Sequence, residues 1–199
     1  MTWLAALLGV TVALLVIGVA LGALRAPGGS GPFTWGVLLG LLLSLGGDVA
    51  LMFQQHRRAF LAGLVLFLCA HLAYAATFAA HGQHSPADYL TLGLLLAAAA
   101  GCYRLLAPGL GDLRWPVLAY IAVISLMVAA AASLLANPAL ARDAALLALA
   151  GALLFYLSDL VLAADRFWRP LRYNRLSLFP YFGGQLLIAM APARLAASA

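Results

Sequence analysis

Long apolar blocks alternate with short polar segments along the whole of this chain. Each block holds about 20 residues, which is the length an α-helix needs to cross the hydrocarbon core of a bilayer. The segments between the blocks carry Pro, Gly or charged residues, which commonly end helices. The pattern predicts seven transmembrane helices, with an eighth left open, at about residues 3–24, 33–53, 60–80, 88–106, 115–136, 143–164 and 176–195. We therefore expect an all-α polytopic transmembrane helix bundle that forms a single domain over residues 1–199.

The composition agrees with an integral membrane protein. Of the 199 residues, 66% are hydrophobic and 9% are charged, whereas charged residues make up about 25% of a soluble domain. The first apolar block follows no basic residue and is longer than the core of a signal peptide, so we expect it to be retained as a transmembrane helix. Cys69 and Cys102 lie inside apolar blocks, which argues against a disulfide framework or a thiolate metal site.

The net charge of +5 comes from arginines in short loops and indicates topology rather than nucleic-acid binding. The positive-inside rule then places the N-terminus in the cytoplasm, and the Arg-, Ala- and Leu-rich composition favours a bacterial inner membrane. The loops after the second, fourth and sixth helices hold eight of the eleven arginines: Arg57, Arg58, Arg104, Arg114, Arg166, Arg169, Arg172 and Arg175. Arg57, Arg58, Arg169 and Arg172 could also hold a lipid phosphate at the mouth of a cavity.

Two aspartates lie inside apolar blocks, where a carboxylate costs about 2.5–3.5 kcal/mol on insertion scales. Asp48 and Asp159 share a sequence frame, with Gly eight residues before and Leu three residues after each of them. Both lie five residues before the predicted end of a helix that runs in the same direction. We therefore expect the two carboxyl groups at a similar depth, facing one cavity if their helices are neighbours. The matched frames also suggest a weak internal repeat.

Several other polar side chains interrupt the apolar blocks. His71 and Tyr74 share one face of the third helix, and Tyr181 and Gln185 share one face of the seventh. Ser44 and Ser158 lie close to the aspartates in sequence: each could donate to a carboxyl group or bond back to its own helix. Packing roles remain the alternative for all six side chains. The residues His81, His84 and Asp88 lie in a short loop that we interpret as solvated, so no metal site is expected.

Two carboxyl groups in a dry cavity do not both ionise easily, so one can act as a general acid and the other as a base for water. Such a pair suits hydrolysis of an acid-labile C–O bond in a lipid. A small proton-coupled transporter or lipid-binding membrane protein would use the same pair as a relay, and a structural role in joining helices is a third alternative. The absence of lysine excludes a retinal protein. The sequence contains neither an HExxH nor a GxSxG motif, so it gives no support for an intramembrane protease.

The sequence around these polar residues resembles that of a known protein family. The stretches LLLSLGGDVALMF, FLAGLVLFLCAHLAYAATF, GALLFYLSDLVLAADRF and PYFGGQLLIA are similar, in order and spacing, to segments of the lysoplasmalogenases of the YhhN-like group. The chain departs from that family in having no lysine for its Lys-Pro pair, seven predicted helices where eight are usual, and Phe182 where a second tyrosine is common.

The resemblance implies a membrane hydrolase that cleaves the vinyl-ether bond of a lysoplasmalogen, or of a related lysophospholipid, to a fatty aldehyde and a glycerophospho-base. It implies no metal or organic cofactor. Asp48 and Asp159 would share the roles of acid and base. A larger set of side chains would support them by orienting water, tuning the two acids or stabilising developing charge: Ser44, His71, Tyr74, Ser158, Tyr181 and Gln185.

Overall fold

The computed structural model describes residues 3–25, 29, 31–169 and 177–197, with side chains between residues 9 and 195 of these ranges. Seven α-helices and no strands occur in this part of the chain. The helices are α1 Trp3–Ala23, α2 Pro32–Leu51, α3 Arg57–His81, α4 Pro86–Leu106, α5 Arg114–Ser133, α6 Arg142–Ala163 and α7 Leu178–Ala197. The predicted helical bundle is therefore confirmed, and each helix overlaps the apolar block that predicted it.

Most of the described helices are long and apolar enough to cross a membrane. Among the described residues, five segments meet this condition by length and apolar composition: Pro32–Leu51, Arg57–His81, Pro86–Gly109, Gly111–Ala136 and Arg142–Trp168. The last of these includes a π-helical turn, Ala164–Trp168, that continues α6. Residues Gly9–Ala23 of α1 form a shorter apolar helix. The protein is an integral membrane protein.

Local sequence signals set the start of two helices. Pro32 occupies the first turn of α2, where its missing N–H is not needed and its fixed φ angle favours the helix. Ser85 precedes α4, and its backbone N–H donates to Asp88 Oδ2 at 2.7 Å. This is half of a capping box, so Asp88 stabilises a helix start.

Five helices pack into a ring. Helix α2 contacts α3, α3 contacts α5, α5 contacts α6, α6 contacts α7, and α7 closes the ring against α2. Helix α1 packs against both α2 and α7 and covers the seam between them, whereas α4 lies outside the ring against α5. Large side chains fill the ring interior, including the fully buried Tyr74, Phe78 and Phe155. The interior of the ring is thus the place where polar side chains are screened from lipid.

Glycines allow the closest helix approaches within the α2–α3 pair and the α6–α7 pair. An added Cβ at Gly151 would lie 2.7 Å from the carbonyl oxygen of Gly184, and the reverse substitution would meet the same distance. An added Cβ at Gly40 would overlap the Tyr74 ring. The two glycines that precede the aspartates by eight residues therefore mark tight contacts of each aspartate-bearing helix with its partner.

Candidate active site

Polar side chains from all five ring helices meet in the interior. They comprise Asp48 from α2, His71 and Tyr74 from α3, Tyr120 from α5, Asp159 from α6, and Tyr181 and Gln185 from α7. The structure thus brings together both predicted acids and four of their predicted supporting residues. Tyr120 is an addition that the sequence did not single out.

A directed chain of hydrogen bonds ends at Asp48. The Tyr181 hydroxyl donates to Asp48 Oδ2 at 2.8 Å. Gln185 Nε2 donates to the Tyr181 hydroxyl oxygen at 3.4 Å, and the Tyr74 hydroxyl donates to Gln185 Oε1 at 2.8 Å. Tyr74 and Gln185 are buried, so the amide of Gln185 links two phenols that would otherwise lack partners.

Asp159 is held from two other helices. The Tyr120 hydroxyl donates to Asp159 Oδ2 at 2.8 Å, and His71 Nε2 lies 3.5 Å from the same oxygen. The His71 ring is fully buried and makes edge contacts with Phe155 and Tyr120, at centroid distances of 4.6 and 5.3 Å. Neither of its ring nitrogens makes a hydrogen bond of normal geometry to a described residue. These contacts fix the orientation of the carboxyl group against α3 and α5.

Each carboxyl group also contacts a helix of the pair that does not carry it. Asp48 of the α2–α3 pair accepts from Tyr181 of the α6–α7 pair, and Asp159 of the α6–α7 pair contacts His71 of the α2–α3 pair. Helices α2 and α6 are not adjacent in the ring. Helices α3 and α5 separate them on one side, and α7 separates them on the other. Phe155 packs against both Tyr181 and His71 and stands between the two halves of the cluster.

A cavity of about 450 Å³ leads to Asp159. Tyr120, Tyr156 and Asp159 supply polar groups to its wall, and the Asp159 side chain is 15% exposed. Most of the remaining wall is apolar: Leu51, Leu64, Phe67, Cys102, Val117, Ile121, Ile124, Leu160, Leu162 and Ala163. Asp48 and Tyr181 are not among the described lining residues. The cavity therefore reaches one acid directly and the other only through the ring interior.

The cavity has a polar outer end, where Gln54, Asp165 and Arg166 join Phe60 in its lining. The π-helical turn after α6 carries Asp165 and Arg166 to this position. A Cβ at Gly109 would overlap the carbonyl of Phe167, so the short helix after α4 packs directly on that turn.

The predicted phosphate-contact arginines occupy different surroundings. Arg57 and Arg58 are both exposed, but only Arg57 lines a second cavity, which adjoins the first. The Arg169 guanidinium lies 4.4 Å from the centre of the Trp168 ring. Arg172 lies outside the described residues.

Comparison with known proteins identifies the family of the chain. The model of the YhhN family matches residues 3–191. The chain belongs to the YhhN family. It is similar to the proteins named lysoplasmalogenase TMEM86A from Bos taurus and Homo sapiens, with 36% and 37% identity over 159 residues. The match covers 78% of this chain and 64% of each relative, so the chain spans less than two thirds of their length. No solved structure matches the chain significantly.

Two of the predicted supporting residues lie beside the site rather than on a carboxyl group. In this YhhN-family chain the Ser158 hydroxyl donates to the backbone carbonyl of Ser177 at 3.0 Å, which ties α6 to the start of α7. The Ser44 hydroxyl is buried near the Tyr74 phenol, without a hydrogen bond of normal geometry to any described residue. Neither serine donates to an aspartate.

Tyr120 and Arg166 are the main residues that sequence reasoning missed. Tyr120 interrupts an apolar block as the other site residues do, and this signal alone could have marked it. Arg166 was interpreted only as a topological charge. As for metals, no group of three or more His, Cys, Asp or Glu side chains suited to binding an ion occurs among the described residues. His81 Nδ1 lies 2.8 Å from the Thr77 carbonyl oxygen of its own helix.

Proposed function

We propose that this protein hydrolyses the vinyl-ether bond of a lysoplasmalogen within the membrane and releases a fatty aldehyde and a glycerophospho-base. Membership of the YhhN family and similarity to two proteins named lysoplasmalogenase support this proposal. The observation that carries it is one carboxyl group, Asp159, held by Tyr120 and His71 at the wall of a largely apolar cavity. An apolar cavity can hold a lipid chain, and a carboxyl group in a fixed position can donate the proton that the reaction requires.

The chemistry of a vinyl ether sets the requirement for the site. The difficult step is transfer of a proton to the β-carbon of the C=C–O unit, which gives an oxocarbenium ion. An acid must therefore lie beside the double bond, in surroundings that exclude bulk water. Asp159 meets this description better than Asp48, because Asp159 lines the cavity.

Asp159 can serve first as the acid and then as the base. Its Oδ2 is engaged by Tyr120 and His71, so we assign Oδ1 to the substrate. The protonated carboxyl group gives its proton to the β-carbon, and the resulting carboxylate takes a proton from the water molecule that adds to the α-carbon. The hemiacetal then loses the glycerol oxygen, which receives a proton while the hemiacetal hydroxyl gives one up. One water is consumed, and the enzyme returns to its starting state.

Asp48 acts at a distance in this scheme. Tyr181 donates to its carboxyl group, and Asp48 does not line the cavity. A negative charge on Asp48 would stabilise the positive oxocarbenium ion through the protein interior. Asp48 is therefore a positioning residue whose effect passes through charge rather than through contact with the lipid.

The test is aldehyde release from 1-O-alkenyl-glycerophosphocholine by the purified protein in nanodiscs. We expect Asp159→Asn to abolish release and Asp48→Asn to reduce it strongly, with both variants folded. Asp112→Asn is the matched control, because Asp112 is exposed in a loop and lines neither cavity. The 1-O-alkyl analogue has no double bond to protonate and should remain intact.

Full activity of Asp159→Asn would overturn the mechanism. Proton-coupled flux in liposomes without aldehyde release would favour the transporter alternative instead.

A further inference from the structure

A second cavity, of about 320 Å³, adjoins the first. The two cavities share Gln54, Phe60 and Arg166 in their linings. The described lining of the second cavity comprises Gln54, Gln55, Arg57, Phe60, Leu61, Leu113 and Arg166. Its polar groups are thus two guanidinium groups and two amides, with no carboxyl group among the described lining residues. A lining of this kind favours the binding of an anion.

The arginines present their donors in a way that suits a phosphate. The Cζ atom of Arg166 lies 4.8 Å from the centre of the Phe60 ring. Stacking on a ring face leaves the N–H groups at the edge of the guanidinium plane, and these groups can bind two phosphate oxygens at once. Arg57 begins α3 and approaches the same cavity from the other helix pair. The start of α3 and the turn after α6 thus each contribute one arginine to the lining of the second cavity.

The location relative to Asp159 matches the length of a lysophospholipid. Arg166 follows Asp159 by seven residues, which is roughly 10 Å along a helix axis. In the lipid, a glycerol unit and an ester oxygen separate the ether oxygen from the phosphorus. A lipid whose ether group lies at Asp159, with its chain in the apolar cavity, would therefore extend its phosphate toward Arg166.

We propose that the second cavity binds the phosphodiester group of the lysolipid headgroup, with Arg166 as the principal ligand and Arg57 as the second. The identity of the lipid rests on the proposed function, whereas binding of the phosphodiester does not require turnover. This subsite makes the protein selective for phosphate-bearing lysolipids over glycerol ethers of the same chain. It also sets the depth to which the ether group enters the first cavity.

The experiment measures binding of two non-hydrolysable probes to the purified protein in detergent. One probe is a 1-O-alkyl-glycerophosphocholine, and the other is the 1-O-alkylglycerol of the same chain length, which lacks the phosphate. For Arg166→Gln we expect affinity for the phosphate probe to fall about tenfold or more, because a hydrogen-bonded charge pair is lost. Affinity for the alkylglycerol should stay within about twofold of the unmodified protein.

The neighbouring arginines supply a matched comparison. Arg57→Gln should weaken binding of the phosphate probe in the same selective way, although less than Arg166→Gln does. Arg58→Gln should change nothing, since Arg58 is the next residue along the helix but lines neither cavity. Arg166→Lys keeps the charge without the planar fork, so we expect an intermediate loss. Circular dichroism and size-exclusion chromatography establish that each variant is folded.

The outcomes separate the two proposals. Selective loss of phosphate binding without any aldehyde release by the unmodified protein would support the subsite and refute the hydrolase. An equal loss for both probes, or no loss in Arg166→Gln, would overturn the subsite. A two-chain glycerophosphocholine that competes as well as the single-chain probe would also overturn it, because the cavity would then hold a bilayer lipid rather than a substrate.

Discussion

At the scale of single residues, the two aspartates are tolerated in the membrane because each carboxyl group has a tyrosine donor. Tyr181 donates to Asp48 and Tyr120 donates to Asp159, both at 2.8 Å. A buried polar group without a partner costs free energy that the surrounding lipid cannot offset. The tyrosines therefore stabilise the acids, and the Tyr120 hydroxyl also fixes which oxygen of Asp159 is left for the cavity.

We expect Tyr120→Phe to lower kcat for aldehyde release about tenfold or more, since a hydrogen bond to a charged group contributes about 1.5–3 kcal/mol. Binding of the 1-O-alkyl analogue should change little, because Tyr120 acts on the acid. Tyr89→Phe is the control, as Tyr89 is 79% exposed at the start of α4. An unchanged kcat in Tyr120→Phe would show that the hydroxyl does not orient Asp159.

We expect the hydrogen bond between Tyr74 and Gln185 to increase the free energy of unfolding. Gln185→Leu leaves the buried Tyr74 hydroxyl without its acceptor, which should destabilise the protein by about 1–3 kcal/mol. In the double variant with Tyr74→Phe, no phenol is left unpaired at that site, so the loss should be smaller than the sum of the two single losses. Thermal unfolding in detergent measures this difference. Strict additivity would mean that the two side chains are not coupled.

The sequence could mark most of the site at this scale, because a polar residue inside an apolar block needs an explanation. Asp48, His71 and Gln185 stood out for this reason. Tyr120 carries the same signal, but a tyrosine near a helix start also fits the membrane interface, so position alone did not separate the two roles. The contacts of Tyr120 with Asp159 depend on which helices adjoin, and this is a property of the tertiary structure.

At the scale of helices, hydrophobic patterning predicts where each helix lies in the sequence and leaves its neighbours undetermined. The shared Gly–Asp frames of α2 and α6 predict two carboxyl groups that face one cavity if these helices are neighbours. In the structure each of them packs instead against the helix that follows it, and the glycine marks that contact. The two helix pairs are connected at the site because Tyr181 of α7 donates to Asp48 of α2, and His71 of α3 lies 3.5 Å from Asp159 of α6. The hydrophobic pattern of the sequence does not reveal these contacts between the helix pairs.

Gly183 and Gly184 offer a test of the α6–α7 contact with adjacent residues. An added Cβ at Gly184 would lie 2.7 Å from the Gly151 carbonyl oxygen, whereas one at Gly183 would meet only the Leu154 side chain, at 3.6 Å. We expect Gly184→Ala to lower the thermal unfolding temperature and to reduce aldehyde release, because α7 carries Tyr181 and Gln185. Gly183→Ala should be neutral or stabilising by up to about 1 kcal/mol, since alanine favours a helix.

Equal effects of the two substitutions would contradict a backbone contact at Gly184. The measurement is a pair of unfolding curves in the same detergent, with activity recorded on the same samples.

At the scale of the whole molecule, Arg57, Arg58 and Arg166 lie at the same end of the bundle as the two cavities. The second cavity is lined by residues from the α2–α3 loop, from the segment before α5 and from the turn after α6. These are the loops in which the arginines concentrate, so the positive-inside rule that predicts the orientation also predicts the side from which the headgroup enters. Both cavities would then open toward the cytoplasmic leaflet.

This orientation can be measured with single cysteines after Cys69 and Cys102 are replaced by serine. Gln55→Cys reports on the α2–α3 loop and His84→Cys on the α3–α4 loop, at the opposite end of α3. Both positions are exposed. With a membrane-impermeant maleimide added to spheroplasts, we expect His84→Cys to react at once and Gln55→Cys to react only after permeabilisation. The reverse pattern would place the arginine-lined cavity on the outer side, and the lysolipid would then have to be drawn from the outer leaflet.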